Sequence, residues 1–249
     1  KAIVIDIKPE RVVYLGDDFS LQTLIWSDNY QWARRRITIN SFGPKPQNFY
    51  DILKIGDLIY LQDSVSGKTL DQLPEAEVAF VASNPSTGAI LSYQGGFNFS
   101  KSNFDRVRQS FPQAGSSFKP FIYSAAIANG YKASDTINDA PIIFEDQNLE
   151  SAWRPENYTG KFYGPIRLRE ALVQSVNIVS IKLLRELGID KAHTFLENFG
   201  FPKSRLAPDL SLALGSSSFS PAEMIRAYNF LANSGEGKNL YFIEKIIDR

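Results

Sequence analysis

The sequence predicts an α+β chain in two parts, a small β module followed by a larger domain that mixes strands and helices. Three observations carry this. Residues 1–62 break into short β-branched and aromatic runs separated by turn signals, without long helical periodicity. Residues 63–75 are polar and read as a connector. From about residue 76 an apolar strand pair gives way to capped, periodic helices. A length of 249 residues suits one or two domains.

In chain order, Ala2–Ile7, Arg11–Leu15 and Leu21–Trp26 read as strands, divided by Lys8-Pro9 and by Gly16-Asp17-Asp18. Ile55–Leu61 reads as a further strand. Strands at this spacing predict a small barrel of the OB type. Val78–Ala82 is almost continuously apolar, as expected of a strand buried on both faces. Asn84–Gly88 holds the Pro and Gly of a tight turn, and Ala89–Tyr93 returns, so the two runs make a hairpin. Gly95 and Gly96, which follow, are read as backbone-turning residues. Helices are expected over Ser116–Ala128, Ile166–Val173 and Ile178–Leu187, the last with Ile178, Ile181, Leu184 and Leu187 on one face. The clearest helix is Pro221–Asn233. Ser220 caps it, Glu223 completes a capping box, Phe219 is placed to staple to Met224, and Gly235 closes it. Tyr241–Ile247 reads as a returning strand. Residues 131–164 read as a long irregular segment.

Composition removes several chemistries. There is no Cys, so disulfides, thiolate nucleophiles and Cys-type metal sites are excluded. The single histidine, His193, rules out a site with two His ligands. It is read as a surface residue. Lys plus Arg equals Asp plus Glu at 27 each, so net charge points to neither nucleic acid nor an acidic surface. Acid–base work would fall to Lys, Glu, Asp or Tyr. No apolar run reaches the roughly 18–20 residues that span a bilayer. The chain begins with Lys1, without Met or an export signal, and is expected to be a piece of a longer or processed protein.

The most informative hexapeptide is Gly115-Ser116-Ser117-Phe118-Lys119-Pro120. Ser116 and Lys119 stand three apart and share a helix face. A serine hydroxyl needs an adjacent base to become a nucleophile. A lysine amine serves once burial or nearby positive charge lowers its pKa. The pattern Ser-x-x-Lys occurs once in the chain, yet alone it is weak, arising by chance about once in a few hundred residues. Ser175-Val176-Asn177 follows about 60 residues later on an interhelical loop. Both side chains can point into one cleft, but an Asn in that place can simply cap the next helix. Ser27-Asp28-Asn29 spells a known catalytic tripeptide in the β-rich part and is read as a turn.

Strand hairpin, Ser-x-x-Lys helix and Ser-x-Asn come in the order of the penicilloyl-serine transferases. The flanking segments narrow the resemblance. Asn84–Ile90, Gly95–Phe99, Gly115–Phe121, Trp153-Arg-Pro-Glu-Asn157, Arg169–Asn177 and Leu212–Ser216 resemble the transpeptidase domain of class A high-molecular-mass penicillin-binding proteins over residues 76–249. Residues 1–62 resemble, more loosely, the OB-like insert that precedes this domain in Gram-negative members.

The resemblance implies a β-lactamase/transpeptidase-like fold: an antiparallel sheet with a helical block. It implies a D,D-transpeptidase that cross-links peptidoglycan stem peptides ending in D-Ala-D-Ala through an acyl-serine, acylated in the same way by β-lactams. Ser116 is the expected nucleophile, Lys119 the base, Ser175 a proton carrier and Asn177 the residue that binds the donor peptide's amide. Trp153 and Tyr163 are expected to line the substrate cleft. No metal or organic cofactor is expected. An outer-membrane lipoprotein activator is an expected partner of the OB-like module. The expected location is the periplasmic face of the inner membrane, reached through an N-terminal anchor outside these residues. The family's third motif, Lys-Thr/Ser-Gly, has no match here, because Lys68-Thr69-Leu70 lacks the glycine and lies before Ser116. The C-terminal part of the domain and an upstream glycosyltransferase domain are therefore also expected outside this sequence.

Competing readings are weaker. A class A β-lactamase carries Glu-x-x-x-Asn beyond Ser-x-Asn, and no glutamate after Ser175 has Asn four residues on. A penicillin-sensor domain fits the flanking segments less well. Nucleic-acid binding would use Arg34-Arg35-Arg36 with Trp26, Tyr30 and Trp32. Residues 1–74, however, hold nine basic and nine acidic residues, and three adjacent strand residues alternate faces. Arg169 and Glu170 are read as structural.

Overall fold

The computed structural model describes residues 1–65, 67–143 and 153–248. They form two compact units, 1–76 and 77–249.

In the first unit, β1 (Ala2–Lys8), β2 (Arg11–Gly16), β3 (Leu21–Ile25), β4 (Arg36–Thr38), β5 (Ser41–Phe42), β6 (Leu58–Ser64) and β7 (Gly67–Asp71) follow in order. Five of them make one antiparallel sheet in the order β3-β2-β1-β6-β7. Its outer strands, β3 and β7, come into contact, which gives the closed five-stranded arrangement of an OB-type barrel. Alternation places Ala2, Val4, Val12 and Tyr14 inside, while Ile3 points out. A bulge between Val4 and Asp6 shifts the β1–β2 register. Trp26, Tyr30 and Phe49 close the core with ring centroids 5.2–5.7 Å apart.

Two expectations for this unit change. Residues 63–75 are not a connector: β7 pairs with β6 from Tyr60↔Asp71 to Ser64↔Gly67, and the unit ends at Ala76 rather than at residue 62. The strand escapes a hydrophobicity reading because Leu70 is its one buried residue. Ser27-Asp28-Asn29 is a turn, as expected: it opens the short 3-10 turn Asp28–Trp32, with the Ser27 hydroxyl accepting the Asn29 N–H.

In the second unit, β8 (Phe80–Ser83) and β9 (Ile90–Gln94) form the expected hairpin. A 3-10 turn, Gly115–Phe118, leads into α1 (Lys119–Ala128). Then come β10 (Thr136–Asp139), β11 (Gly164–Arg167), α2 (Leu168–Val173), α3 (Asn177–Leu187), α4 (Ile189–Glu197) and α5 (Pro221–Ala232). The strands β10 and β11 pair at the two ends of a stretch read as irregular. Helix α3 packs against α1, α2 and α4 and buries Ile178, Val179, Ile181, Leu183, Leu184 and Leu187. An aromatic cluster of Phe118, Phe121, Phe201 and Phe219, with centroids 4.5–5.6 Å apart, ties the turn before α1 to the later loops. The capping box at α5 is as expected, with Ser220 and Glu223 bonded reciprocally. The Gly235 N–H closes that helix on the Phe230 carbonyl at 2.7 Å.

Other expectations fail on tertiary grounds. The β8 run is not buried on both faces: Val78 and Phe80 are exposed, because among the described residues β8 pairs only with β9 and packs against α5. Tyr241–Ile247 forms no strand. Tyr241 makes one isolated parallel bridge to Ala89, and no ladder continues beyond it. Gly95 and Gly96 do lie in a bend of the chain, as expected, and Gly95 also permits a close approach. A Cβ at Gly95 would lie 2.5 Å from a carboxylate oxygen of Asp105. His193 is buried, not on the surface. Helix α4 starts four residues before it, and its Nε2 lies 2.9 Å from the Ala207 carbonyl oxygen.

Candidate active site

Ser116 sits inside the 3-10 turn, and Lys119 ends that turn as the first residue of α1. A 3-10 turn has three residues per turn, so positions i and i+3 eclipse. This aligns the Ser116 and Lys119 side chains more closely than an α-helix would. Three bonds hold the turn from outside. The Ala114 N–H donates to the Ser217 carbonyl at 3.0 Å and the Gly115 N–H to the Gly215 carbonyl at 2.9 Å. The Tyr228 hydroxyl donates to the Ser117 carbonyl at 2.6 Å. Gly215 has φ +73°, and a Cβ there would lie 2.0 Å from the Gly115 carbonyl oxygen. Only glycine permits this approach.

Lys119 is 1% exposed. Its Nζ donates to the Ser175 carbonyl at 2.7 Å, to Ser175 Oγ at 3.0 Å and to Asn177 Oδ1 at 2.7 Å. Burial pulls the ammonium down to about 8. Two of the three acceptors, the carbonyl and the amide oxygen, can only accept. Ser175 Oγ can reverse and donate. A neutral Lys119 therefore keeps its contact with Ser175 through the hydroxyl proton. Ser175 lies at φ +53°, a conformation that L residues rarely adopt.

Asn177 is the first residue of α3. Its Nδ2 donates to the Glu156 carbonyl at 2.9 Å, which sets the amide so that Oδ1 faces Lys119. The structure thus brings Lys119, Ser175 and Asn177 together directly. Exposed Ser116 joins Ser175, Asn177, Tyr158, Tyr163 and Gln174 around one cavity of about 370 Å³. Tyr163 is on that wall. Trp153 is not among the lining residues. It is half-buried and packs against the hydrophobic core of this unit. Sequence reasoning missed Asp139, Asn157, Gly215 and Tyr228. Asn157 and Gly215 do lie in segments that carried the family resemblance, Trp153–Asn157 and Leu212–Ser216.

Comparison with known proteins bears on family and fold. The family model described as penicillin binding protein transpeptidase domain matches residues 78–249, and the penicillin-binding protein OB-like domain matches residues 1–76. The chain is 43% identical to penicillin-binding protein 1A of Pseudomonas aeruginosa over 100% of its own length and 30% of that protein. It superposes on the crystal structure of penicillin-binding protein 1A from Haemophilus influenzae with a TM-score of 0.84 and 36% identity, covering 99% of this chain and 35% of that one. The protein PonA1 of Mycobacterium tuberculosis, in complex with penicillin V, is 25% identical with a TM-score of 0.58 over 68% of this chain and 48% of that one. Fold and family model together define a transpeptidase-type domain behind an OB-like module. The chain belongs to the penicillin-binding protein transpeptidase family. It spans less than a third of the length of the curated relative it matches. Among the described residues, no helix is long and apolar enough to cross a membrane.

Proposed function

We propose that this chain carries the acylation centre of a D,D-transpeptidase that cross-links peptidoglycan, with Ser116 as nucleophile. The observation that carries the reading is the buried Lys119, bonded to Ser175 and Asn177 beside the cavity onto which Ser116 opens. Ser116 Oγ attacks the carbonyl of the penultimate D-Ala, and Lys119, neutral, accepts its proton. The Oγ–C bond forms, the C–N bond to terminal D-Ala breaks, and Ser175 Oγ hands a proton to the leaving nitrogen. Ser175 is then reprotonated by Lys119. The Asn177 amide holds the donor peptide, and the Ser116 backbone N–H supports the developing oxyanion. The amine of a neighbouring stem attacks the acyl-serine next and frees Ser116. A β-lactam enters at the first step, and its ring opens onto the same oxygen.

In this reading the reaction takes place at the periplasmic face of the inner membrane. The OB-like unit serves as a docking module for an outer-membrane lipoprotein activator. A groove of about 630 Å³ that includes exposed Trp32 and Tyr50 supports a protein-binding role. Intact-protein mass after brief exposure of the full-length protein to penicillin tests the nucleophile. One penicillin should add to the wild type and none to Ser116→Ala. An unmodified wild type, or an adduct that persists in the variant, overturns the assignment.

A further inference from the structure

Helix α3 begins without a cap of its own. The residue before it, Val176, has no side-chain acceptor. The cap comes from elsewhere. Asn157 Oδ1 accepts the backbone N–H groups of Asn177 at 3.0 Å and Ile178 at 3.2 Å. Asn157 is held in turn by Asp139, the last residue of β10, which is fully buried. Asn157 Nδ2 lies 3.0 and 2.9 Å from the two Asp139 carboxylate oxygens and 2.9 Å from the Lys161 carbonyl. The Tyr163 N–H donates to Asp139 Oδ2 at 2.9 Å. A buried carboxylate needs donors, and here the donors are the residues that shape the cavity wall. On the far side, Asn177 Oδ1 accepts from Lys119 at 2.7 Å.

We propose that Asp139 and Asn157 are positioning residues for acylation. The carboxylate orients the Asn157 amide, the amide caps α3, and the cap holds Ser175 and Asn177 against Lys119. This rests on the reading of Ser116 as the acylated serine. Neither residue acts on substrate; they act through Asn177 and the backbone of Ser-x-Asn. The strained φ of Ser175, two residues before the capped Asn177, gives the clamp a physical task.

The test uses the full-length protein and a fluorescent penicillin, with the acylation rate constant and the final extent of labelling read separately. Asn157→Ala and Asn157→Asp should each slow acylation about ten- to a hundred-fold at full extent of labelling, as misplacement of a catalytic group by a fraction of an ångström does. Asn157→Asp sets two carboxylates face to face. The exchange Asp139→Asn with Asn157→Asp restores one acid and one amide, and puts the acid where the helix N-terminus favours it. It should recover the rate to within about five-fold of wild type. Single variants that label to a smaller extent at an unchanged rate constant overturn the proposal, because that pattern marks a merely structural role. An exchange no faster than Asn157→Asp alone overturns it as well. A wild type that fails to label faults the Ser116 reading instead.

Discussion

Lys119 shows how one side chain acquires chemistry from its surroundings. On a solvated helix its ammonium would stay charged to pH 10 and above. Here burial brings it down to about 8, with no neighbouring cation needed. In the proposed reaction the neutral form is the base, so the sign follows directly. Acylation of the full-length protein should rise with pH through a midpoint near 8 and level off above it. A rate independent of pH from 6 to 10 would remove Lys119 from the role. The depressed pKa also means that the unfolded chain binds the extra proton between about 8 and 10.5, so this group makes the fold more stable as pH rises through that window. Glu223 shifts stability in the same direction, in an acidic window and for a different reason. Burial alone would raise its carboxyl, but hydrogen bonds from Arg205 and the Ser220 cap outweigh burial and hold it below the usual range. Its contribution is present above the ordinary carboxylate pKa and fades as pH falls through the lowered one.

Elements decide where these residues stand. The turn Gly115–Phe118 is held by a loop about 100 residues later, through Gly215 and Ser217. Gly215→Ala would drive a methyl into the Gly115 carbonyl. It should destabilise the protein by about 1–3 kcal/mol and reduce Ser116 acylation more than Gly235→Ala, whose Cβ meets open space. Thermal melts together with penicillin labelling separate the two. At α5, Ser220→Ala removes one half of a capping box and should cost about 1 kcal/mol. That box was legible because its residues are close in sequence. The α3 cap was not, because its acceptor, Asn157, lies 20 residues upstream. Strand β7 was missed for a related reason. A hairpin strand with one buried residue carries no period for a reader to find.

At the scale of the whole molecule there are two separate cores. One is built on Val4, Val12, Phe49 and Ile59, the other on Phe118, Phe121, Leu184 and Phe201. Each holds at least one fully buried aromatic residue of its own, so a truncation in one should unfold that unit first. Phe49→Ala should cost about 3–5 kcal/mol, melt residues 1–76 early and leave Ser116 acylation at its wild-type rate. Loss of labelling in that variant would show that the second unit does not hold its site alone.

The sequence by itself determined the two-part α+β plan, the family resemblance and the helix α5 with its cap, and it singled out Ser116, Lys119, Ser175 and Asn177 as the candidate site. Those are written in local spacing and in short-range hydrogen-bond chemistry, which any reader of the chain can follow. Tertiary structure alone decided that Lys119 is buried, that Trp153 packs against the core while Tyr163 meets the cavity, that His193 is inside, and that Tyr241 onward forms no strand. It also joined Asp139 to Asn157 and Asn157 to α3. Burial, desolvation and the choice of a distant hydrogen-bond partner depend on which segments meet in space, and no local pattern encodes that meeting.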